Sequence, residues 1–249
     1  MWSELQRWRG LILMGVAVVA TLWLALGSQL VLYIHPRYII FTAIMSTLAL
    51  VLVVAGLVRR GRADGDEPTA RGWRRALTAV VLLVCAALAV AMVGLPPATL
   101  SSATAQQRDI NGSPVGAPSQ SMTDVSSVPA GAFAKFTVQD WASLLRQTND
   151  LSFYEGKPVD VIGFVTADTD DPGNVFYVSR FVITCCAVDA QPIGVPVYLE
   201  NWPNTLHADD WVEATGSFVS NPSHVSKQSI ALRPNSIKTV DRPSDPYLY

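Results

Sequence analysis

Residues 159–185 read VDVIGFVTADTDDPGNVFYVSRFVITC. Within this stretch, residues 159–165 and 175–185 are rich in Val, Ile, Phe and Tyr, which are enriched in β-strands. The Asp-Pro-Gly-Asn segment at 171–174 is typical of a tight turn, because Pro and Gly supply the backbone angles that turns need. The stretch therefore predicts two strands joined by a short connection.

The surrounding C-terminal region, residues 133–249, continues this pattern. An amphipathic helix is predicted first, over residues 137–148, with Thr137 as its N-cap. Further β-rich runs follow at 195–199, 211–219, 229–232 and 237–240. Because many short strands in one small domain favour a closed or half-closed barrel, we expect a small all-β, OB-like barrel with one short leading helix.

The N-terminal region, residues 1–95, contains three apolar runs. Residues 11–34, 38–58 and 76–95 carry no Asp, Glu, Lys or Arg. A helix of about 20 apolar residues is long enough to cross the hydrocarbon core of a bilayer. The predicted fold class is therefore a membrane protein with three N-terminal transmembrane α-helices, followed by the OB-like domain.

The arginines predict how these helices are oriented. Arg7 and Arg9 precede the first run, six Arg lie within residues 59–75, and only Arg37 separates the first run from the second. Positively charged loops stay on the cytoplasmic side of a membrane. We therefore expect a multi-pass protein of the cell membrane, seated in the lipid bilayer, with a cytoplasmic N-terminus and an extracytoplasmic C-terminal domain.

The segment between the two regions has a different composition. Residues 96–132 contain no aromatic residue and are rich in Ser, Pro, Ala, Thr and Gly. A segment of this kind buries too little apolar surface to order itself. It predicts a disordered linker that tethers the C-terminal domain.

Charge and motifs exclude several classes of function. Residues 133–249 contain eight Lys or Arg against fourteen Asp or Glu, a poor match for nucleic acid, whose phosphates require neutralisation by basic groups. The sequence contains no Ser-His-Asp pattern, nucleotide-binding loop or zinc-protease motif. The Cys-x-x-Cys motif of thiol oxidoreductases is absent as well. We expect a protein that is not an enzyme and does not bind nucleic acid.

Two adjacent cysteines are the remaining candidates for a functional site. Cys185 and Cys186 precede Asp189 in the segment RFVITCCAVDA at 180–190. Three interpretations compete: a structural role, a strained disulfide between neighbours, and a site for a soft metal or metalloid ion that uses Cys185, Cys186 and Asp189. In the third interpretation a further ligand comes from His207, from His224 or from another chain. The cofactor is then a soft metal ion of unknown identity.

Two charged or titratable residues accompany these candidates. Arg180 lies among apolar neighbours, so we expect it to pair with Asp189 and support the turn, the alternative being that it reaches solvent. His35 precedes Pro36 in the short connection between the first two apolar runs. It is either a residue of a helical hairpin turn or a group at the mouth of a transport pathway.

Four segments together resemble a known family. They are YIHPR at 33–37, GFV at 163–165, RFVITCCAVDA at 180–190 and WVEATG at 211–216. They are similar to the YcgQ-like family of bacterial membrane proteins, which carry a domain of unknown function and are regarded as one subunit of a two-component permease. The resemblance implies a larger multi-pass permease subunit as partner, of a type that includes organoarsenical exporters.

These observations lead to one functional expectation and one main alternative; a third possibility, a thiol oxidoreductase, is disfavoured because the Cys-x-x-Cys motif is absent. The expectation is an accessory subunit of a two-component membrane permease, whose outer domain binds cargo, a soft metal or metalloid, or gates access to the pathway. The alternative is a stand-alone extracytoplasmic metal or redox sensor that uses the same cysteine pair. The presence of a multi-pass partner distinguishes the two.

Overall fold

The computed structural model describes residues 2–63, 80, 83, 84, 87, 99–112 and 130–249. The chain divides into two compact units, residues 1–98 and residues 99–249. Each unit has its own secondary structure, helical in the first and dominated by a β-sheet in the second.

The first unit is built on two long helices. Helix α1 spans Trp2–Leu26 and helix α2 spans Ile39–Ala63. Between them lie two short 3₁₀ helices, Leu30–Leu32 and Pro36–Tyr38. Helix α1 stops because Ser28 adopts a left-handed backbone conformation, with φ of 55°, which a right-handed helix does not accommodate.

The prediction of three transmembrane helices is wrong for the residues that the structure describes. There, one helical segment, Pro36–Gly56, is long and apolar enough to cross a membrane, with a mean hydropathy of 2.5. The helix that contains the first predicted span, 11–34, ends at Leu26, so its part of that span, residues 11–26, is shorter than the about 20 residues that a crossing requires. The third predicted span, 76–95, lies outside the described residues apart from four single positions.

This correction also removes the predicted multi-pass localisation. The assignment of a cytoplasmic N-terminus and an extracytoplasmic C-terminal domain depended on three crossings of the bilayer, and one candidate helix does not support it. The fold is instead a small helix-plus-sheet domain of six strands, and the described part of the helical unit that precedes it in the chain contains one membrane-capable helix.

In its described residues, the second unit contains the six-stranded sheet and three α-helices. Two of the helices are short, and α4 is the longest. The helices are α3 (Ser102–Gln106), α4 (Val138–Gln147) and α5 (Leu151–Tyr154). The strands are β1 (Val159–Ala167), β2 (Val175–Val182), β3 (Gln191–Tyr198), β4 (Trp211–Ser220), β5 (Ile230–Thr239) and β6 (Tyr247–Leu248).

Five of these strands close into a ring. The hydrogen-bonded order is β1-β4-β5-β3-β2, and an additional pairing of β1 with β2 joins the two ends. All pairs in the ring are antiparallel except β3 with β5, where Val197 lies opposite Leu232. The pairing of β1 with β2 thus closes the sheet into a small barrel. Strand β6 adds to β2 in parallel.

Helix α4 packs against the apolar core of the barrel. Thr137 caps it through a reciprocal pair of bonds with Asp140: the Asp140 backbone N–H donates to the Thr137 hydroxyl, and the Thr137 N–H donates to the Asp140 carboxylate. This cap and the buried Val138, Trp141 and Leu144 confirm the helix predicted at 137–148. The Trp141 ring contacts Phe218 of β4 at 5.2 Å between centroids, so the helix is anchored on the barrel.

Residues 99–112, which lie in the predicted linker, pack on the barrel instead of forming a free tether. We call this segment the strap. The Leu100 N–H donates to the Tyr247 hydroxyl at 3.1 Å, and the Ser102 N–H donates to the Asp209 carboxylate at 2.5 Å. Ala105 of α3 is fully buried. Hydrogen bonding to the sheet domain orders the strap although its composition is that of a linker, and the rest of the predicted linker, 113–129, lies outside the described residues.

Candidate metal centre

The cysteine pair lies in the connection between β2 and β3. Strand β2 ends at Val182, and the following Ile183 donates its backbone N–H to Leu248. The predicted strand at 175–185 is therefore three residues too long. Because Cys185 and Cys186 follow the strand, their side chains are not forced onto opposite faces of the sheet, which a regular strand would require.

Asp189 organises this loop from its centre. Its carboxylate accepts the Cys185 N–H at 2.7 Å through Oδ2 and the Thr184 N–H at 3.2 Å through Oδ1. Its own N–H donates to the Cys186 carbonyl at 3.0 Å, at the start of a 3₁₀ turn over Ala187–Asp189. The loop thus folds back on itself and brings the carboxylate beside both thiols.

The three predicted ligands lie together. The Sγ atoms of Cys185 and Cys186 are 3.6 Å apart, and one atom from each of Cys185, Cys186 and Asp189 lies within 4.8 Å of the other two. Both cysteines are free thiols, since a disulfide needs a sulfur separation of about 2.0 Å. Cys185 is exposed and Cys186 is half-buried, so neither fills space in the core.

Electrostatics within the loop set the protonation states. The adjacent Asp189 carboxylate, followed by the Cys186 thiol, raises the pKa of Cys185 to about 12. Partial burial opposes ionisation of Asp189, but hydrogen bonds from the Cys185 thiol and from the loop N–H groups outweigh it and lower its pKa. Without a cation, the loop therefore holds a carboxylate beside a protonated Cys185 thiol.

The two histidines named as further ligands do not join this cluster. Among the described residues, the cluster of potential metal-binding side chains around the thiols contains Cys185, Cys186 and Asp189 alone. The Nδ1 atom of His207 lies 3.4 Å from the Asp210 carboxylate. The chain thus supplies three ligand atoms to the site from its described part.

Comparison with protein families identifies both regions. Residues 8–111 match the DUF1980 N-terminal domain, and residues 131–249 match the DUF1980 C-terminal domain. The chain belongs to the DUF1980 family. No curated protein matches it. The candidate metal loop falls within the DUF1980 C-terminal domain, and the strap falls almost wholly within the match to the N-terminal domain.

Arg180 lies in the DUF1980 C-terminal domain but does not pair with Asp189, so that prediction is wrong. Its guanidinium donates to the backbone carbonyls of Pro246 at 2.9 Å and Asp245 at 2.7 Å, and reaches the Ile162 carbonyl at 3.4 Å. Burial lowers the pKa of Arg180, against the opposing effect of the Asp245 charge. Three carbonyl oxygens satisfy the side chain, so it holds the C-terminal tail against β1 and β2 instead of the metal loop.

The strap supplies a contact to the loop that sequence reasoning missed. The Nη2 group of Arg108 donates to the Val188 carbonyl at 3.2 Å, in the turn between Cys186 and Asp189. No motif marks this interaction, because Arg108 lies in a stretch whose composition predicts disorder. The Asn111-Gly112 pair, a common turn signal, was the available indication of local order there.

His35 lies in the DUF1980 N-terminal domain, in the connection between α1 and α2. Its Nδ1 atom accepts the Arg37 N–H at 3.1 Å, so the imidazole caps the 3₁₀ turn Pro36–Tyr38. Its ring also meets the Tyr38 ring edge-on, with centroids 6.1 Å apart. These contacts fit the interpretation of His35 as part of a turn, and its role in a pathway stays a prediction.

Proposed function

We propose that this chain is an accessory subunit of a membrane permease, and that its sheet domain binds a soft metal or metalloid ion through Cys185, Cys186 and Asp189. The observation that carries the proposal is the convergence of two thiols and one carboxylate within 4.8 Å. Thiolates select soft ions, and the loop hydrogen bonds that orient Asp189 correspond to the supporting interactions found around metal ligands.

The exposure of the site supports a role in handling cargo. Structural metal sites are closed by four protein ligands and contribute to folding. Here Cys185 is exposed, and the barrel has an extensive apolar core of its own. An ion in this loop is accessible to solvent and to a partner, as cargo must be.

The permease assignment has separate support. The segments at 33–37, 180–190 and 211–216 are similar to the YcgQ-like family, whose members are regarded as subunits of two-component permeases. The segment Pro36–Gly56 meets the length and hydropathy of a membrane span. We propose that the partner is a larger multi-pass permease subunit in the same lipid bilayer.

Ion binding is tested on the full chain purified in detergent under reducing conditions. Equilibrium dialysis against zinc, copper(I) and arsenite measures the ion retained by each chain. We expect one retained ion, which the double variant Cys185→Ser/Cys186→Ser loses and the matched control Cys85→Ser keeps. The absence of any retained ion, or retention by the double variant, contradicts the proposal.

The partner is tested by isolating the tagged chain from its native membranes in mild detergent. A multi-pass membrane protein recovered in constant ratio to the chain supports an accessory subunit. A chain that binds an ion but is recovered alone contradicts that assignment and favours a stand-alone sensor. The double cysteine variant serves as the control for whether the association depends on the ion.

A further inference from the structure

The chemistry of the ligand set narrows the class of ion. Asp189 contributes a hard carboxylate oxygen, which copper(I) and trivalent arsenic do not select. Zinc accepts sulfur and carboxylate oxygen in the same site. A set of two cysteines and one aspartate therefore suits a divalent ion of the zinc type better than a purely thiophilic one.

The separation of the two sulfur atoms agrees with that class. Tetrahedral zinc with Zn–S bonds of about 2.3 Å places two sulfur ligands about 3.8 Å apart. The Sγ atoms of Cys185 and Cys186 are 3.6 Å apart before any ion is bound. The loop thus holds both thiols near the spacing that tetrahedral coordination requires.

The set is one ligand short of a closed tetrahedral site. The described residues bring Cys185, Cys186 and Asp189 together and no fourth His, Cys, Asp or Glu. The side of the loop that faces solvent is uncovered, since Val188 is 82% exposed and Cys185 is exposed as well. Sites with three protein ligands leave the fourth position to water or to an incoming group.

We propose that the loop holds one zinc-type divalent ion with three ligands and an open fourth position, which a thiolate or imidazole group of a partner protein occupies when the ion is transferred. This inference rests on the proposed function and adds the class of the ion and the manner of its exchange. In the exchange the incoming group replaces water on the ion, further ligands of the partner then replace the three ligands of this chain in turn, the released thiolates take up protons from water, and no oxidation or reduction takes place.

The open position is tested with the full chain in detergent, loaded with cobalt(II) as a spectroscopic substitute for zinc. Titration with imidazole is expected to shift the ligand-field absorption bands in a saturable way. The transfer of bound zinc to the chelator 4-(2-pyridylazo)resorcinol is expected to accelerate in proportion to chelator concentration. Cys85→Ser is expected to behave like the unmodified chain in both measurements.

The outcomes separate this inference from the proposed function. A chain that binds no ion overturns both. Bands that imidazole leaves unchanged, with a transfer rate independent of chelator concentration, overturn the open position and leave ion binding intact. One ion held between two copies of the chain overturns it as well.

The contribution of the carboxylate is tested with Asp189→Asn. This substitution removes the charged ligand and keeps one oxygen acceptor, for either the Cys185 N–H or the Thr184 N–H. Zinc affinity is expected to fall relative to copper(I) affinity by at least about tenfold, because zinc loses a ligand while copper(I) keeps both thiolates. An equal loss of affinity for both ions contradicts the assignment to the zinc class.

Discussion

The side-chain amide of Asn111 pairs with the backbone of Gly194 as a second peptide group would. The Gly194 N–H donates to Asn111 Oδ1 at 3.0 Å, and Asn111 Nδ2 donates to the Gly194 carbonyl at 2.8 Å. The Asn111 N–H also donates to the Pro192 carbonyl at 3.1 Å. The strap therefore satisfies backbone groups of β3 that lie before its pairing with β5 at Val197, where that side of the strand has no strand partner.

Asn111→Gly is expected to release the strap from β3. Glycine accommodates the positive φ of 63° at this position, so the change removes the two side-chain hydrogen bonds without adding backbone strain. Two such bonds contribute about 1–3 kcal/mol together. Hydrogen exchange is expected to become faster at residues 108–112 and at Gly194. The exposed Asn235→Ala is the control, and unchanged exchange in Asn111→Gly would show that the strap is held by other contacts.

Gly163→Ala is expected to destabilise the barrel by about 1–3 kcal/mol. A Cβ atom at Gly163 would lie 2.4 Å from the Ser179 carbonyl oxygen, so β1 and β2 would have to move apart. At Gly173, in the turn between the same strands, a Cβ atom meets only the Asp171 carboxylate, at 3.9 Å. Gly173→Ala is therefore the matched control, with an expected change below about 0.5 kcal/mol. Urea unfolding measures both, and equal losses would refute the steric argument.

More of the sheet domain than of the N-terminal unit could be predicted from the sequence. Alternating apolar residues and the Asp171–Asn174 turn carry local information, so β1, β2 and α4 follow from the sequence almost to their ends. Strand β3 was predicted to begin at Val195, although it begins at Gln191, because Pro192 suggests a break. Proline is tolerated there because that side of β3 pairs with β5 only at Val197, so the missing N–H of Pro192 removes no hydrogen bond between strands.

The wrong predictions concern features that composition and hydropathy do not encode, namely a local backbone conformation and contacts between residues far apart in the chain. A hydropathy pattern does not show that Ser28 interrupts the first apolar run. A composition rich in Ser and Ala does not show that Asn111 forms hydrogen bonds with Gly194, 83 residues further along the chain. In the candidate site, the sequence identified the two cysteines and Asp189. It assigned Arg180 to the wrong partner, because the C-terminal tail that binds it carries no recognisable signal.

Arg180→Lys is expected to loosen the C-terminal tail and leave the metal loop unaffected. A lysine ammonium is a point charge and does not reproduce the planar fork that reaches Ile162, Asp245 and Pro246 together. Hydrogen exchange at residues 245–248 should rise, while zinc affinity should stay within about twofold. The control is Arg233→Lys on the exposed side of β5. A large loss of zinc affinity in Arg180→Lys would restore the predicted support of the loop by Arg180.

Asp189→Asn is expected to make Cys185 more reactive towards iodoacetamide. Only the thiolate reacts, and the Asp189 carboxylate disfavours it by raising the pKa of Cys185 to about 12. Because of the raised pKa, the thiolate is a small fraction of Cys185 at pH 8. The thiolate fraction continues to increase at pH values above the usual pKa of cysteine. Removing the negative charge lowers that pKa, so the alkylation rate at pH 8 should rise by at least about tenfold. Mass spectrometry of the labelled peptide distinguishes Cys185 from Cys186. Asp241→Asn, a substitution of another aspartate in the same domain, is the control. An unchanged rate in Asp189→Asn, with the loop intact by hydrogen exchange, would mean that the carboxylate does not set the protonation of the thiol.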